Sequence, residues 1–264
     1  MKKYLSVAKN TWAETFTYRL NFVVWRFRVV LQLLTIYFLW FAITIKSDNI
    51  FGYGQAQILT YVLGTSLINS FVFASRTYGV GNEINEGSLS NYLVKPVNYF
   101  MYHFARDLGD KAVNVIFSIV ELSILFAILR PPLFLQTNPV LLLLTIVSTL
   151  IALILYFFLN FLIGLVGFWS PEVWAPRFIF MIVITFFAGG LFPLDILPSK
   201  IFAVFKILPF TYLLYFPLKI YLGQLAMSDI IIGMFVSLSW LVCIYLVVKF
   251  VWMQGLKVYT AWGK

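Results

Sequence analysis

A series of apolar segments, each close to the length that crosses a lipid bilayer, is the feature that most constrains how this chain folds. A membrane-spanning helix needs about 20 residues to cross ~30 Å of hydrocarbon. The segments number six and lie at 22–45, 55–75, 111–129, 139–168, 177–192 and 229–250. Hydrophobic residues make up 62% of the chain and charged residues only 11%, which is outside the range of soluble domains. The sequence therefore predicts an integral membrane protein with six transmembrane helices.

Helices are expected as the membrane-spanning elements, so the predicted fold class is all-α. Backbone amides cannot stay unpaired in lipid, and the alternating pattern of a barrel strand is absent. Met1 to Leu20 contains no apolar core followed by a small-residue cleavage site, so the chain is expected to begin at Met1 without a signal peptide. Because no repeat or linker divides it, residues 1–264 are expected to form a single membrane domain.

The basic residues predict how the chain is oriented. If the N-terminus is cytoplasmic, fourteen of the 19 basic residues lie inside and five lie outside. The five outer residues are Lys46, Arg130, Lys200, Lys206 and Lys219. This asymmetry follows the positive-inside rule and places both termini in the cytoplasm. The net charge of +9 is expected to serve contact with anionic membrane lipids rather than nucleic acid, since no basic patch interleaves with stacking aromatics.

The first 21 residues read as an amphipathic helix lying in the membrane interface. Apolar residues recur at helical spacing, and polar residues fall on the opposite face. The apolar face carries Leu5, Ala8, Trp12 and Phe16, and the polar face carries Lys3, Asn10 and Glu14. Such a helix lies in the interface plane rather than across the bilayer. It is either a simple anchor or a docking element for a cytoplasmic partner.

One long polar stretch, residues 76–110, separates the second and third apolar segments. Glu83 and Glu86 lie one helical turn apart, and Gly79 and Gly87 suit turns at the ends of a short helix. The stretch is therefore expected to hold a cytoplasmic coupling helix between spans 2 and 3. The alternative is a loop that is merely solvated.

Residues 193–228 are apolar enough to enter a bilayer but cannot form a straight helix. Four prolines interrupt the region, each at a cost of about 3 kcal/mol inside a helix. They are Pro193, Pro198, Pro209 and Pro217. The expected solution is a pair of re-entrant short helices on the outer side, with Lys206 and Lys219 reaching headgroups and Asp195 near the surface. This region either opens as an outer gate or caps the pathway as a static element.

Residue types that support chemistry in membranes are scarce. His103, the only histidine, is expected to be solvated, and Cys243, the only cysteine, lies in an apolar segment. A phosphate-binding loop of the form G-x-x-x-x-G-K-[S/T] is absent, so the chain is not expected to be an enzyme or to bind ATP itself. No metal site is expected. Glu121, in span 3, is the one clear intramembrane acid; it could be functional, a protonated packing residue, or a group that lines water.

Three blocks of sequence resemble the permease subunits of ABC-2-type transporters with six spans. The first is E-I-N-E-G-S-L at 83–89 with Y-L-V-K-P-V at 92–97, where Ser88 replaces the commoner threonine. The second is G-G-L-F-P-L-D-I-L-P at 189–198, continued by L-P-F at 208–210 and Y-F-P at 215–217. The third is G-L-K-V-Y at 255–259. Their order and spacing cover essentially the whole chain.

The resemblance implies a half-transporter in a bacterial-type cytoplasmic (inner) membrane. Two copies, or this chain and a related permease, are expected to form the pathway, while two separate cytoplasmic ATPase subunits bind ATP and Mg²⁺. The residues expected to couple to the ATPase are Glu83, Glu86, Gly87, Ser88, Leu89, Lys95 and Pro96. The residues expected at the outer gate are Gly189, Gly190, Pro193, Asp195, Pro198, Phe205, Pro209 and Pro217.

The expected function is the membrane permease of an ATP-driven ABC exporter. The alternatives are an ion-coupled secondary carrier and a membrane-embedded lipid-modifying enzyme. The carrier would use relays of several intramembrane ionisable groups, and the enzyme would need converging His, Asp or Ser side chains. The apolar pathway is compatible with a lipid, a glycan-lipid, a peptide or a hydrophobic drug as cargo.

Overall fold

A computed structural model describes residues 2–17, 19–45 and 51–260. The predicted outer position of Lys46 therefore lies outside the described residues. Within them the chain forms helices and turns and no β-strand, which confirms the all-α prediction. The helices are α1 (Lys2–Thr17), α2 (Arg19–Thr44), α3 (Gln55–Ile68), α4 (Gly79–Asn85), α5 (Ser90–Leu93), α6 (Tyr99–Leu129), α7 (Pro139–Gly164), α8 (Trp174–Phe187), α9 (Ser199–Phe205), α10 (Tyr215–Tyr221) and α11 (Met227–Val258).

Five of the described helices are long and apolar enough to cross a membrane. They are α2, α3 with its π-helical continuation Asn69–Phe73, α6, α7 with its 3₁₀ continuation Leu165–Phe168, and α11. The protein is thus a multi-pass membrane protein. The fifth predicted span, at 177–192, corresponds to α8, an apolar helix of 14 residues. At 1.5 Å per residue α8 is about 21 Å long, so the six-span layout stays a prediction.

Both ends of α8 have a local cause. It begins at Trp174 rather than after Pro176, because proline is tolerated in a first helical turn, where its missing N–H costs nothing. It ends before Gly189, whose φ of 83° lies in the left-handed region. The N–H of Gly190 then closes the end by donating to the carbonyl of Thr185 at 3.3 Å.

α6 starts 12 residues before the predicted third span. Asn98 caps its N-terminus, because the side-chain oxygen accepts a hydrogen bond from the N–H of Met101 at 3.0 Å. Residues 99–110, expected in the polar cytoplasmic region, are therefore helical and extend α6 beyond its apolar part. α1 packs against this extension so closely that a Cβ on Gly109 would lie 2.7 Å from the carbonyl oxygen of Ala8.

α1 presents a different surface on each of three sides. The side against α6 is small and polar, with Thr11 and Thr15 buried. The next side carries the predicted apolar residues, and Leu5 and Phe16 are both more than half exposed. Polar residues such as Asn10 occupy the third side. An apolar side left open beside a polar one is what an interfacial helix needs, so the structure is compatible with the predicted position of α1.

The prolines of residues 193–228 stand where helices start. A 3₁₀ turn, Leu194–Ile196, follows Pro193, and Pro198 directly precedes α9. Pro209 opens a second 3₁₀ turn, Pro209–Tyr212. Pro217 lies in the first turn of α10, where it interrupts no helical hydrogen bond. The region is therefore a set of short helices, as its prolines predicted.

Candidate coupling site and outer polar cluster

The turn between α4 and α5 folds around the backbone carbonyl of Glu83. The N–H of Leu89 donates to this carbonyl at 3.0 Å, and the hydroxyl of Ser88 donates to it at 3.2 Å. Gly87 has a φ of 73°, which disfavours any side chain at that position. The side chain of Leu89 is fully buried beneath the turn. Residues 83–89 are thus one compact unit, which explains why they form one block in the sequence.

The side chain of Glu83 anchors α4 on α6. The hydroxyl of Tyr99 donates to its carboxylate at 2.6 Å, and the Nε2 of His103 lies 3.2 Å from the same oxygen. Burial acts to raise the pKa of Glu83, but the hydrogen bonds from His103 and Tyr99 and the charge of Arg106 outweigh it and lower that pKa. Glu83 is therefore ionised at neutral pH and is held in place by three side chains of one helix.

The expectation that His103 is solvated is wrong. Its ring is only 1% exposed and packs edge-on against Tyr99, with 4.4 Å between centroids. The reason is that residues 99–110 form a helix instead of a loop, so one side of this polar stretch faces the protein. A single histidine in a polar stretch does not indicate burial. The four-residue spacing of Tyr99 and His103 does, because it places both aromatic rings on one face of a helix.

Glu83 and Glu86 face opposite ways, although the sequence groups them together. α4 ends at Asn85, and Glu86 follows as its exposed C-terminal cap. Lys95 and Pro96 are exposed as well, and the carbonyl of Pro96 accepts a hydrogen bond from the Nζ of Lys3 in α1 at 2.7 Å. The predicted coupling residues thus divide into an inner part, which includes the anchor Glu83 and the buried Gly87 and Leu89, and an outward group of Glu86, Lys95 and Pro96.

The outward group is part of an exposed patch that we call the coupling surface, defined as Glu86, Leu93, Val94, Lys95 and Pro96. Val94 is 83% exposed and Leu93 47% exposed, so two large apolar side chains stand free next to charged ones. A cleft of about 330 Å³ opens beside them. Its lining residues are Ser88, Asn91, Tyr92, Lys95, Val97 and Tyr102. Apolar side chains rimmed by polar ones are typical of a protein-binding surface.

Tyr259, just beyond the end of α11, closes the turn from the other side. Its hydroxyl donates to the carbonyl of Gly87 at 2.7 Å and accepts from the N–H of Ser90 at 3.1 Å. Nearby, α11 packs closely on the 3₁₀ continuation of α7, because a Cβ on Gly255 would lie 2.1 Å from the ring of Phe168. The first and third blocks of the sequence therefore meet in space. The sequence does not predict this contact, because Gly87 and Tyr259 lie 172 residues apart.

A buried ion pair fixes the segment that leads from α3 into the coupling site. The Nζ of Lys111 lies 3.0 Å from the carboxylate of Asp107, and these side chains are 2% and 0% exposed. The same Nζ donates to the carbonyl of Val72 at 2.8 Å, at the end of the π-helix, and to the carbonyl of Ala74. Asp107 in turn accepts from the N–H of Arg76 at 3.2 Å. The sequence does not predict this pair, because the polar stretch that contains Asp107 reads as a loop.

Glu121 is not a lone intramembrane acid. Arg26 of α2 forms a bidentate pair with it, with its Nε 2.7 Å from one carboxylate oxygen and its Nη2 bonded to the other. The Nη1 of Arg26 also donates to the side-chain oxygen of Asn114 at 3.3 Å. Arg26 had been counted among the cytoplasmic residues, although it lies within the predicted span 22–45. A basic residue inside an apolar segment was the signal that could have identified the partner.

A second polar group, which we call the outer polar cluster, consists of Tyr53, Asp195, Lys219 and Gln224. The Nζ of Lys219 lies 2.7 Å from Asp195, 2.7 Å from the side-chain oxygen of Gln224 and 2.9 Å from the hydroxyl of Tyr53. That hydroxyl donates to the other oxygen of Asp195 at 2.7 Å. The expectation that Lys219 reaches lipid headgroups is wrong, because three acceptors hold it at 4% exposure.

The other residues predicted at the outer gate lie in the same region of the chain, between the end of α8 and α10. The carbonyl of Gly189 accepts a hydrogen bond from the hydroxyl of the buried Tyr61 at 2.7 Å. Phe205 is 5% exposed and stacks near Phe187, with 4.6 Å between ring centroids. The remaining members stand at helix starts or turns: Gly190, Pro193, Pro198, Pro209 and Pro217. They form one packed region, and its place on the outer side stays a prediction.

Comparison with known protein families identifies the family of this chain. A family model described as ABC-2 family transporter protein matches residues 30–263. The match includes the coupling turn, the outer polar cluster and α11. Comparison with curated proteins finds no match to this chain. The matched range covers far more than half of the chain, and the protein therefore belongs to the ABC-2 family of transporter proteins.

Proposed function

We propose that this protein is the membrane permease of an ATP-driven ABC exporter. It forms the translocation pathway together with a second permease, identical or related. Two separate cytoplasmic ATPase subunits bind the complex and hold ATP and Mg²⁺, while the permease itself binds no nucleotide and is not an enzyme. The assembly resides in a bacterial-type cytoplasmic membrane with both termini of this chain in the cytoplasm.

The observation that carries the proposal is the construction of the coupling surface. Its outer side offers exposed Leu93 and Val94 directly before the exposed, charged Lys95, which suits a protein partner. Its inner side is bound to α6 through Glu83 and to α11 through Tyr259. A force applied to the exposed side thus reaches two membrane-spanning helices. ATP binding shifts the complex between two arrangements only if ATP binds them with different affinity. Because the coupling surface is fixed to the spans, a change in the ATPase and a change in the spans are linked, which provides such a difference.

An ion-coupled carrier is less well supported by the same contacts. Glu121 is occupied by Arg26, so it lacks the freedom to exchange protons with a pathway. The pair is better suited to holding helices together. The lipid-modifying enzyme is less well supported too, because His103, the single histidine of the sequence, is 1% exposed and lies 3.2 Å from Glu83, away from any substrate.

Purification of the tagged permease in a mild detergent, followed by mass spectrometry, tests the proposal. We expect an ATPase subunit with a phosphate-binding loop to co-purify. The variant Val94→Asp should lose the ATPase, because it places a charge in an apolar contact. The control Leu135→Asp, at a site 71% exposed in the loop between α6 and α7, should retain it. Transport that survives ATP depletion but stops when the proton gradient collapses would support the carrier instead.

A further inference from the structure

One face of α6 carries a polar side chain at nearly every turn, from its N-terminus into its apolar part. The positions are three, four or seven residues apart, so they form a straight stripe along the helix. We call it the α6 stripe, and it comprises Tyr99, His103, Arg106, Asp110, Asn114 and Glu121. Phe117 fills the remaining turn and packs edge-on against Phe22 of α2, with 4.8 Å between centroids.

The lower part of the stripe binds α2. Arg26 forms a bidentate pair with Glu121 and donates to Asn114 at 3.3 Å. Asn114 donates in turn to the carboxylate of Asp110 at 3.2 Å, which joins this level to the next. Arg26 and Glu121 are 7% and 18% exposed, so the pair is largely shielded from lipid and water. Every polar atom named here has a partner, as a low-dielectric site requires.

The upper part of the stripe binds the coupling site. Asp110 accepts from the Nε of Arg76 at 2.8 Å, and Arg76 stands in the segment between α3 and α4. Arg76 and Arg106 both bond Glu14 of α1, at 2.8 and 3.3 Å. At the top, Glu83 of α4 lies 3.8 Å from Arg106 and accepts from Tyr99. One face of one helix therefore holds α1, α2, α4 and the segment leading into α4.

We propose that the α6 stripe fixes the rotation of α6 about its own axis and thereby couples α4 to α2, which makes Arg26 and Arg76 positioning residues. This inference rests on the proposed function, since it names the path by which the coupling surface reaches the membrane. α6 is a single uninterrupted helix of 31 residues. The orientation that presents Glu121 to Arg26 is thus the same one that presents Tyr99 and Arg106 to Glu83. A shift of α4 turns the stripe and displaces α2.

Coupling between two sites is reciprocal, so loosening the α2 end must loosen the α4 end. Separate local ion pairs make the opposite prediction, because contacts without shared partners act independently. The permease alone can decide between these cases. Failure of the inference is therefore distinct from failure of the proposed function, which concerns the ATPase.

The test measures how often α4 leaves its site. Ile84, 4% exposed on α4, is replaced by cysteine in a Cys243→Ser background, and its reaction with a water-soluble maleimide is timed in detergent-purified permease. The double variant Arg26→Met/Glu121→Met cuts the α2 end without leaving an unpaired buried charge, so it should fold. We expect the labelling rate at position 84 to rise about fivefold or more, as for a typical coupling between sites.

Arg28→Met is the matched control, because Arg28 lies on α2 near Arg26 but is exposed and stacks on Trp25. It should leave the labelling rate unchanged. A second reporter, Ala188→Cys at the fully buried end of α8, detects general loosening and should also stay unchanged. An unchanged rate at position 84 in the double variant would overturn the inference, and so would equal increases at positions 84 and 188.

Discussion

The buried pair of Lys111 and Asp107 allows a prediction with a definite magnitude. Replacing Lys111 by Met leaves the carboxylate of Asp107, at 0% exposure, without a counter-charge. It also removes the donor for the carbonyls of Val72 and Ala74, where the π-helix ends. Breaking a buried ion pair by deleting one partner costs about 3–5 kcal/mol. We expect Lys111→Met to lower the free energy of unfolding by about this amount, a large share of the ~5–15 kcal/mol typical of a domain.

The double variant Lys111→Met/Asp107→Leu separates charge from packing. It removes the carboxylate that Lys111→Met leaves without a partner. The remaining loss of stability then comes from the carbonyls of Val72 and Ala74, which have lost their donor, and from the lost hydrogen bond of the Arg76 N–H, at about 1 kcal/mol each. We therefore expect the double variant to be more stable than the single one. Unfolding is followed by circular dichroism during SDS titration of the purified protein in mixed micelles.

Lys257→Met, an exposed site in the last turn of α11, is the control and should change the free energy of unfolding by less than about 0.5 kcal/mol. The reasoning would be refuted if Lys111→Met cost no more than this control. It would also be refuted if the double variant were as unstable as the single one, since the unpaired charge would then not be the cause.

Three further predictions concern other contacts. The folded state lowers the pKa of Glu83, so the ionised carboxylate stabilises the protein above the ordinary pKa of 4.5, and this stabilisation is lost as the pH falls through the lowered pKa. The melting temperatures of wild type and Glu83→Gln should therefore differ near neutral pH and converge in acid. A difference that stays constant with pH would contradict this. Lys219→Met deprives Asp195 of its charged partner, at a cost of about 1–3 kcal/mol. We expect amide hydrogen exchange in α10 to become faster. Unchanged exchange would show that the outer polar cluster does not stabilise this helix. Gly109→Leu should force α1 away from α6, because even a Cβ at position 109 would lie 2.7 Å from the carbonyl oxygen of Ala8. We expect it to lower the free energy of unfolding by about 1–3 kcal/mol; an unchanged value in the SDS titration would show that the helices adapt.

The sequence predicts most of the helices because its signals are local. Apolar length identifies five spans, and proline and glycine mark the ends of α8, α9 and α10. Helical spacing identifies both faces of α1. The start of α6 escaped prediction because charge along residues 99–110 resembles a loop, while burial against α1 and α4 makes it a helix. A tertiary contact thus decided a local conformation.

The candidate site could be located but not assembled from sequence. The block at 83–89 identifies the turn, but nothing local shows that Glu83 faces inward and Glu86 outward. The partners of Glu121 and Asp195 lie on other helices, and pairing across such distances leaves no mark on a single sequence. Arg26 is the exception, because its charge within an apolar segment required a partner.

The clasp between Tyr259 and the turn at Gly87 has a consequence for biosynthesis. The two residues are 172 positions apart, and synthesis at ~5–20 residues per second separates them by about 10–35 s. During that interval α6 to α10 and most of α11 are synthesised, and the long apolar helices among them enter the bilayer. The coupling turn receives its last hydrogen bonds only once α11 is in place. Under the proposed function, a half-inserted chain presents an unfinished docking surface, so the ATPase would bind only chains whose insertion is complete.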